Sequence, residues 1–325
     1  MRFVHNDPNF GQIVATVGEK LDINPGQIEK DYWITHVLWA LHAVGLEVWF
    51  KGGTCLSKGY KLIERFSEDL DVKLGTGTAP GLPPSPNWKG ERDTHIAKRA
   101  AWFDALAKGL SIDGCRITVN QDMVDERARS AVFEVHYPGE FIAGLGPVIS
   151  PWVRLEIGSA RMTPALYRPI SSWIHDELDA RAVWSRFDDN RPPPVHCVHP
   201  AVTLLEKLDA ITRRWPRADL PGRAFVRHYE DAASIIAALP TLPAVPGGLE
   251  PLMTEMVAHR QLRGLVSAND PAFMLESGER THELHVAWTE LAPLYWGTRV
   301  PLGEAAARIR GWISENIYLS TAISS

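Results

Sequence analysis

Three cysteines in 325 residues, Cys55, Cys115 and Cys197, are too few and too scattered for a disulfide scaffold or a zinc knuckle, and no two stand in a CxxC spacing. No run approaches the roughly 18 apolar residues that a membrane span needs, and no basic segment leading into an apolar stretch stands near the start. An excess of positive charge is missing too. With 34 Lys and Arg against 39 Asp and Glu, the net charge is -5, which speaks against a generally basic nucleic-acid binder while leaving room for a local basic patch. Internal repeats and low-complexity tracts are absent. These absences imply a cytoplasmic protein of a reducing compartment with no membrane partner. What is present is 45% hydrophobic residues over a length that suits one large domain or two small ones.

Organisation is legible from punctuation. Asn24-Pro25 offers an N-cap with proline at the first helical position, and QIEKDYWITHVLWALHAV, Gln27 to Val44, places apolar residues at helical spacing. LEVWF, Leu46 to Phe50, leads into Gly52-Gly53 and predicts a buried strand entering a tight turn; TCLSKGYKLIER, Thr54 to Arg65, predicts a helix after it. GTGTAPGLPPSPNWKG, Gly75 to Gly90, reads as a long loop. RITVNQD, SAVFEVHY and WVRLEIG have the alternation or β-branched content of strands. RPPPVHCVHP, Arg191 to Pro200, reads as a linker or boundary, and the pattern beyond it is helical almost to the end. The expected fold is α+β: a mixed-sheet domain with N-terminal helices over residues 1–165, then a mainly helical domain over 166–325.

The chemistry concentrates in FKGGTCLSKGYKLIERFSEDLDVKL, Phe50 to Leu74. On a strand, Asp69 and Asp71 point to one face while Leu70 and Val72 point to the other. Two carboxylates that close repel unless a cation lies between them, and a hard divalent ion such as Mg²⁺ is the usual occupant. Glu156, alternating with Val153, Leu155 and Ile157, is a candidate third ligand. The competing reading is a solvated strand edge with an ordinary surface glutamate. Gly52 and Gly53 permit a positive φ and close backbone approach, Thr54 is placed to cap the next helix, and the N–H groups there would face an anion. A plain turn would look the same, and the GxxxxGK[ST] spacing of a Walker loop is absent. Ser57 and Lys58 fall within the helix; Ser57 is a candidate substrate contact and Lys58 reads as a solvated lysine.

GGT, S-K and RFSEDLD together resemble the first motif of the AbiEii/AbiGii family of nucleotidyltransferase toxins, which includes MenT-like members. IEKDYWIT (Ile28 to Thr35), RLEI (Arg154 to Ile157), LLEKLDAITRR (Leu204 to Arg214) and RHYEDAASI (Arg227 to Ile235) resemble further motifs of that family, in order. The resemblance covers roughly residues 25 to 240. It implies a nucleotidyltransferase-type mixed sheet followed by a helical part, and transfer of a nucleotide from an NTP with Mg²⁺, Mn²⁺ being the alternative ion. It implies an RNA acceptor, above all the tRNA 3′ end, a block of translation, and a cognate antitoxin as partner. Position by position it carries Ser67, Asp69 and Asp71 onto the serine and aspartates of the first motif. Lys207 falls on the catalytic lysine and Asp231 on the late catalytic aspartate. The last motif reads RHYED, matching only one of the family's forms, so Asp231 carries over better than His228.

Read from the residues alone, Lys207 and Arg214 lie seven apart on one helical face, and Arg227 and Asp231 four apart on the next, with Arg223 a turn earlier. Lys207, Arg213, Arg214, Arg217, Arg223 and Arg227 stand against only Asp209 and Asp219. This local basic patch is either a solvated helical face or a clamp for a triphosphate and a nucleic-acid backbone, with Arg214 and Arg227 as the candidate contacts. His199 and His228 are candidate general bases or structural histidines. Cys55 lacks a paired base for a nucleophilic role, and Trp215 is either core material or a base-stacking ring. Two other functions fit the same pattern: transfer of the nucleotide to a protein hydroxyl, and a non-catalytic NTP-binding module.

Overall fold

The Asn24 carboxamide accepts from Gly26 N at 2.8 Å and Pro25 opens the long helix behind it, so the start of that helix lies where the sequence places it. In the computed structural model, which describes residues 2–75, 81–120, 123, 125–158 and 164–317, the helices are α1 (Phe10–Leu21), α2 (Pro25–Ala43), α3 (Gly52–Thr54), α4 (Asp93–Gly109), α5 (Trp173–Ala180), α6 (Pro200–Arg214), α7 (Arg227–Ala238), α8 (Leu249–Ala258), α9 (Pro271–Met274), α10 (Glu279–Glu290) and α11 (Leu302–Asn316). The strands are β1 (Val48–Lys51), β2 (Asp69–Leu74), β3 (Arg116–Asn120), β4 (Ser130–His136), β5 (Val153–Gly158), β6 (Ala165–Arg168) and β7 (Val195–Val198). Residues 76–80 of the Pro-rich loop, and Gln121 and Asp122 at the end of RITVNQD, lie outside the described residues.

Contacts divide the chain into two units. The first comprises Met1–Lys61 and Phe66–Val198, the second Leu62–Arg65 and His199–Ser325. All seven strands belong to the first, in the order β3-β4-β5-β2-β1-β7-β6. β1 runs parallel to β7 and β2 parallel to β5; the other pairs are antiparallel. Period-two alternation sorts the sheet into two faces. Phe50, Leu70, Val72, Phe133, Leu155 and Cys197 are fully buried on one face, each large apolar side chain contributing about 1.5–3 kcal/mol by leaving water. The other face carries Trp49, Lys51, Asp69, Asp71, Lys73, Glu134, His136, Arg154, Glu156, His196 and Tyr167. Helix α2 is buried nearly all round, and its charged residues survive burial by being partnered: Lys30 with Glu68, Asp31 with Lys58, and Glu29 with the N–H groups of Glu140 and Phe141.

Three expectations are corrected here. The segment read as a linker or boundary does hold the division, at Val198/His199, but it also contains β7, hydrogen-bonded between β1 and β6, so β6, α5 and β7 belong to the first unit, which the sequence ended at residue 165. The flanking prolines mask a four-residue buried strand that is recognisable only through its neighbours. The helix expected over Thr54 to Arg65 is helical only through Gly59, where a single turn of π-helix over Cys55–Gly59 ends. Lys61 then turns left-handed at φ 55°, and Leu62–Arg65 joins the second unit, where Arg65 bridges to Tyr295 and Glu64 O accepts from Trp296 N at 3.1 Å. Arg223 sits in a 3-10 turn ahead of α7 and not on that helix. The second unit is helical, with α7 packed on α6 and α11 around Leu204, Phe225, Tyr229, Ile235 and Ile309.

Candidate active site

Strand register brings together what the sequence holds 85 residues apart: Asp71 is the Cα partner of Glu156 across β2 and β5, and Asp69 the partner of Arg154. On the opposite side Lys51 of β1 pairs with Asp71, its Nζ 3.5 Å from Oδ2. Arg154 stands between the carboxylates, Nε 3.9 Å from Asp69 and Nη2 3.9 Å from Glu156. Burial first, and then the charge of Asp71, push the Glu156 carboxyl above its usual range against the pull of Lys73, Lys51 and Arg154. Lys51, Lys73 and Arg154 are the cations of this face that the sequence reading did not single out, because the register that sets them beside the aspartates is a long-range property.

The donor set fits a hard divalent cation. Asp71 Oδ1 is buried and, among the described residues, accepts no hydrogen bond, a costly state for a carboxylate oxygen beside a second carboxylate. Among the described residues no three His, Cys, Asp or Glu side chains converge closely enough to hold an ion by themselves. Asp69, Asp71 and Glu156 therefore line one face with Arg154 among them, and do not form a closed cage.

The glycine turn is built around Asp71. Gly52 has φ +74°, and a Cβ on it would stand 3.2 Å from Asp71 Oδ2. Gly53 and Thr54 follow in α3. Thr54 does not cap a helix as expected: its residue is buried within α3, and its hydroxyl reaches the carbonyls of Ser67, at 3.1 Å, and Asp69, tying the turn to the start of β2. Ser57 Oγ donates to Thr54 O at 3.1 Å inside its own helical turn. Lys58 is not solvated either. It is buried against Asp31 of α2, whose other oxygen accepts from Trp173 N at 3.1 Å. Cys55 is fully buried, its thiol pushed up by burial and by Cys197, which leaves it inert as a nucleophile.

The second unit gathers Lys207 and Asp231 with Arg65, the arginine of RFSEDLD. Arg65 grips Asp231 bidentately, Nε to Oδ1 at 2.8 Å and Nη2 to Oδ2 at 2.7 Å, and Lys207 Nζ adds a third bond at 2.7 Å. Burial by itself would raise the Asp231 carboxyl; the two cations outweigh it and hold Asp231 far below the usual carboxylate range. Burial pushes Lys207 down, opposed by Asp231.

The basic patch is partly neutralised. Arg213 lies 3.6 Å from Asp209 and Arg217 lies 2.5 Å from Asp219. Arg214 donates to Ala224 O at 3.0 Å and to His228 Nε2 at 2.9 Å. A guanidinium only donates, so Nε2 is the acceptor and the neutral ring carries its proton on Nδ1. Burial, then the charges of Lys207 and Arg214, hold His228 well below the usual histidine value. Arg227 is half-buried at the start of α7, and among the described residues its side chain makes no hydrogen bond or ion pair. His199 is a cap: Nδ1 accepts from Ala201 N at 3.1 Å and Nε2 donates to Pro243 O at 2.9 Å. Trp215 is half-buried, and its carbonyl accepts from Arg280.

No helix among the described residues is long and apolar enough to cross a membrane. The family described as "Nucleotidyl transferase AbiEii toxin, Type IV TA system" matches residues 37–293. Among solved structures, MenT4, a nucleotidyltransferase toxin from Mycobacterium tuberculosis H37Rv, is similar in fold with a TM-score of 0.54 at 17% identity, covering 94% of this chain and 90% of that one. No curated protein matches the chain.

Proposed function

The chain belongs to the AbiEii family of nucleotidyltransferase toxins of type IV toxin–antitoxin systems, and from that premise we propose that it transfers a nucleotide from an NTP to an RNA acceptor, above all the tRNA 3′ end, and so blocks translation. The observation that carries this reading is the Asp71–Glu156 register pair with its unpartnered buried oxygen. Asp69, Asp71 and Glu156 would hold the Mg²⁺ or Mn²⁺, and such an ion, when bound, neutralises phosphate charge and lowers the pKa of a bound hydroxyl.

In the transfer, an acceptor hydroxyl attacks the α-phosphorus, the bond from that phosphorus to the β-phosphate oxygen breaks, pyrophosphate leaves, and the hydroxyl proton passes to water. The protein's part in such a displacement is positioning and charge neutralisation. Gly52 leaves the turn open beside Asp71, so the N–H groups of Gly52, Gly53 and Thr54 are assigned to a phosphate. Ser67 is assigned to the same group. Ser57 is withdrawn as a side-chain contact, since its hydroxyl serves its own helix. In the second unit Lys207, Arg214 and Arg227 are assigned to phosphate binding, and Asp231 acts by holding Lys207. The reading includes a cognate antitoxin as partner and a cytoplasmic setting, where NTPs and tRNA are found.

The test is incubation of the chain with each labelled NTP, Mg²⁺ and either tRNA or total protein, beside Asp69→Asn. Label in RNA that depends on Asp69 is expected. Label in protein with none in RNA would move the acceptor to a protein hydroxyl, and binding of NTP without transfer to either would leave a non-catalytic module.

A further inference from the structure

The polar face of the sheet does not end at the carboxylates. Trp49 is two residues before Lys51 on β1, on the same face, and is the Cα partner of Lys73 on one side and His196 on the other; His196 is in turn the partner of Tyr167 on β6. The three rings stack across the strands. Trp49 and His196 are 4.5 Å apart and within 7° of parallel, and His196 and Tyr167 are 4.0 Å apart at 36°. An aromatic ladder thus runs from the carboxylate region to the sheet edge within one unit.

Its outer end is open. Among the described residues β6 is the last strand of the sheet, so Tyr167 has His196 against one ring face and no described strand beyond the other. Tyr167 leaves 65% of its surface in solvent, more than any other large apolar residue described. Burial does not account for it. A cross-strand aromatic pair stabilises a sheet only slightly, whereas a ring pre-stacked on two others is rigid and costs little to order when a flat ligand adds to the stack.

We propose that the Trp49–His196–Tyr167 ladder is a stacking platform for the acceptor, with an unpaired base of single-stranded RNA laid on the open face of Tyr167. This rests on the nucleotidyl-transfer reading and adds a site to it. The spacing favours the acceptor over the incoming nucleotide: β6 lies three strands from β2, about 14 Å at the ordinary strand separation. A nucleotide whose α-phosphate sits at Asp71 cannot also reach Tyr167 with its own base, while a few nucleotides of single strand span that distance. Because every base has a π-face, such a platform tolerates sequence and demands only that the strand be unpaired.

The test uses the full chain and a fluorescently labelled single-stranded oligouridine, followed by anisotropy, with a duplex RNA as control, and steady-state transfer kinetics in parallel. Tyr167→Ala is expected to weaken oligonucleotide binding about tenfold and to raise KM for acceptor RNA by the same factor, with KM for NTP and kcat unchanged and the melting temperature lowered by no more than about 4 °C. Tyr167→Phe and Tyr167→Trp are expected to restore both. Unchanged binding in Tyr167→Ala, no binding of the single strand by the wild type, or equal loss in Phe and Ala would overturn the platform. Transfer to RNA with an unchanged KM in Tyr167→Ala would overturn it while leaving the transfer reading intact. Tyr167-dependent binding by a wild type that transfers nothing would uphold the platform and remove the enzymatic reading.

Discussion

Lys30 Nζ, fully shielded from solvent, donates to Glu68 Oε2 at 2.9 Å, and Glu68 is the residue immediately before Asp69. The same ammonium donates to Ser150 O at 2.8 Å, and the same carboxylate oxygen accepts from Ser150 N at 2.7 Å. Helix α2 thereby holds the entry to β2, while Asp31, next along the helix, holds the Cys55–Gly59 turn through Lys58.

Lys30→Met is expected to leave Glu68 without its cation and to cost about 3–5 kcal/mol, the range for breaking a buried pair from one side. The double variant Lys30→Met with Glu68→Gln is expected to be less destabilised than that single change. Urea unfolding of the three proteins checks this, and a single variant as stable as the wild type would show that the pair does not hold β2.

Mg²⁺ is expected to raise the melting temperature of the wild type and to leave Asp71→Asn unmoved. In the presence of a chelator, Asp71→Asn is expected to be at least as stable as the wild type, because the repulsion between Asp71 and Glu156 has been removed. Thermal melts with and without Mg²⁺ decide it; equal shifts in both proteins would place the ion elsewhere.

Gly52→Ala puts a Cβ at 3.2 Å from Asp71 Oδ2 and imposes φ +74° on a residue that resists it by roughly 1–2 kcal/mol. The Asp71 carboxylate must then give by a few tenths of an ångström, less than the ångström of misplacement that costs on the order of a hundredfold in rate. The expected outcome is a folded protein with transfer reduced by less than that factor, read by circular dichroism and labelled-nucleotide incorporation together.

Asp231 supplies a pH signature. Its folded pKa is depressed below the unfolded value of about 3.9, so its contribution to stability is fully present above that pH and is lost as pH falls below it. Asp231→Asn leaves Arg65 and Lys207 buried without their anion and is expected to cost about 3–5 kcal/mol at neutral pH. The gap to the wild type is expected to narrow as pH falls from about 4 toward 2. A gap that stays constant through that range in urea titrations would mean the carboxylate is not the ionised partner of the two cations.

Local pattern determined a large part of this protein. Asn24-Pro25 and the apolar spacing behind it set the start of α2, alternation placed β3, β4 and β5, and the period of two put Asp69 and Asp71 on one face with Leu70 and Val72 on the other. Each of these is a property of consecutive residues, which share one φ/ψ regime and one buried side. Register and burial were decided only by the tertiary structure. That Glu156 lies beside Asp71 and Arg154 beside Asp69 depends on which strands pair and with what offset, and a one-residue slip would reverse both. The VHCV segment became an inner strand, next to the edge, because β1 and β6 offered it hydrogen bonds, against the signal of its flanking prolines. Lys58 and Lys207, which a helical pattern leaves free to face water, are buried because Asp31 and Asp231 meet them there, and Arg65 finds Asp231 across 166 residues of chain. Periodicity reports which side of an element is buried; it carries no information about which distant charge waits on that side, because that pairing is chosen by the whole fold.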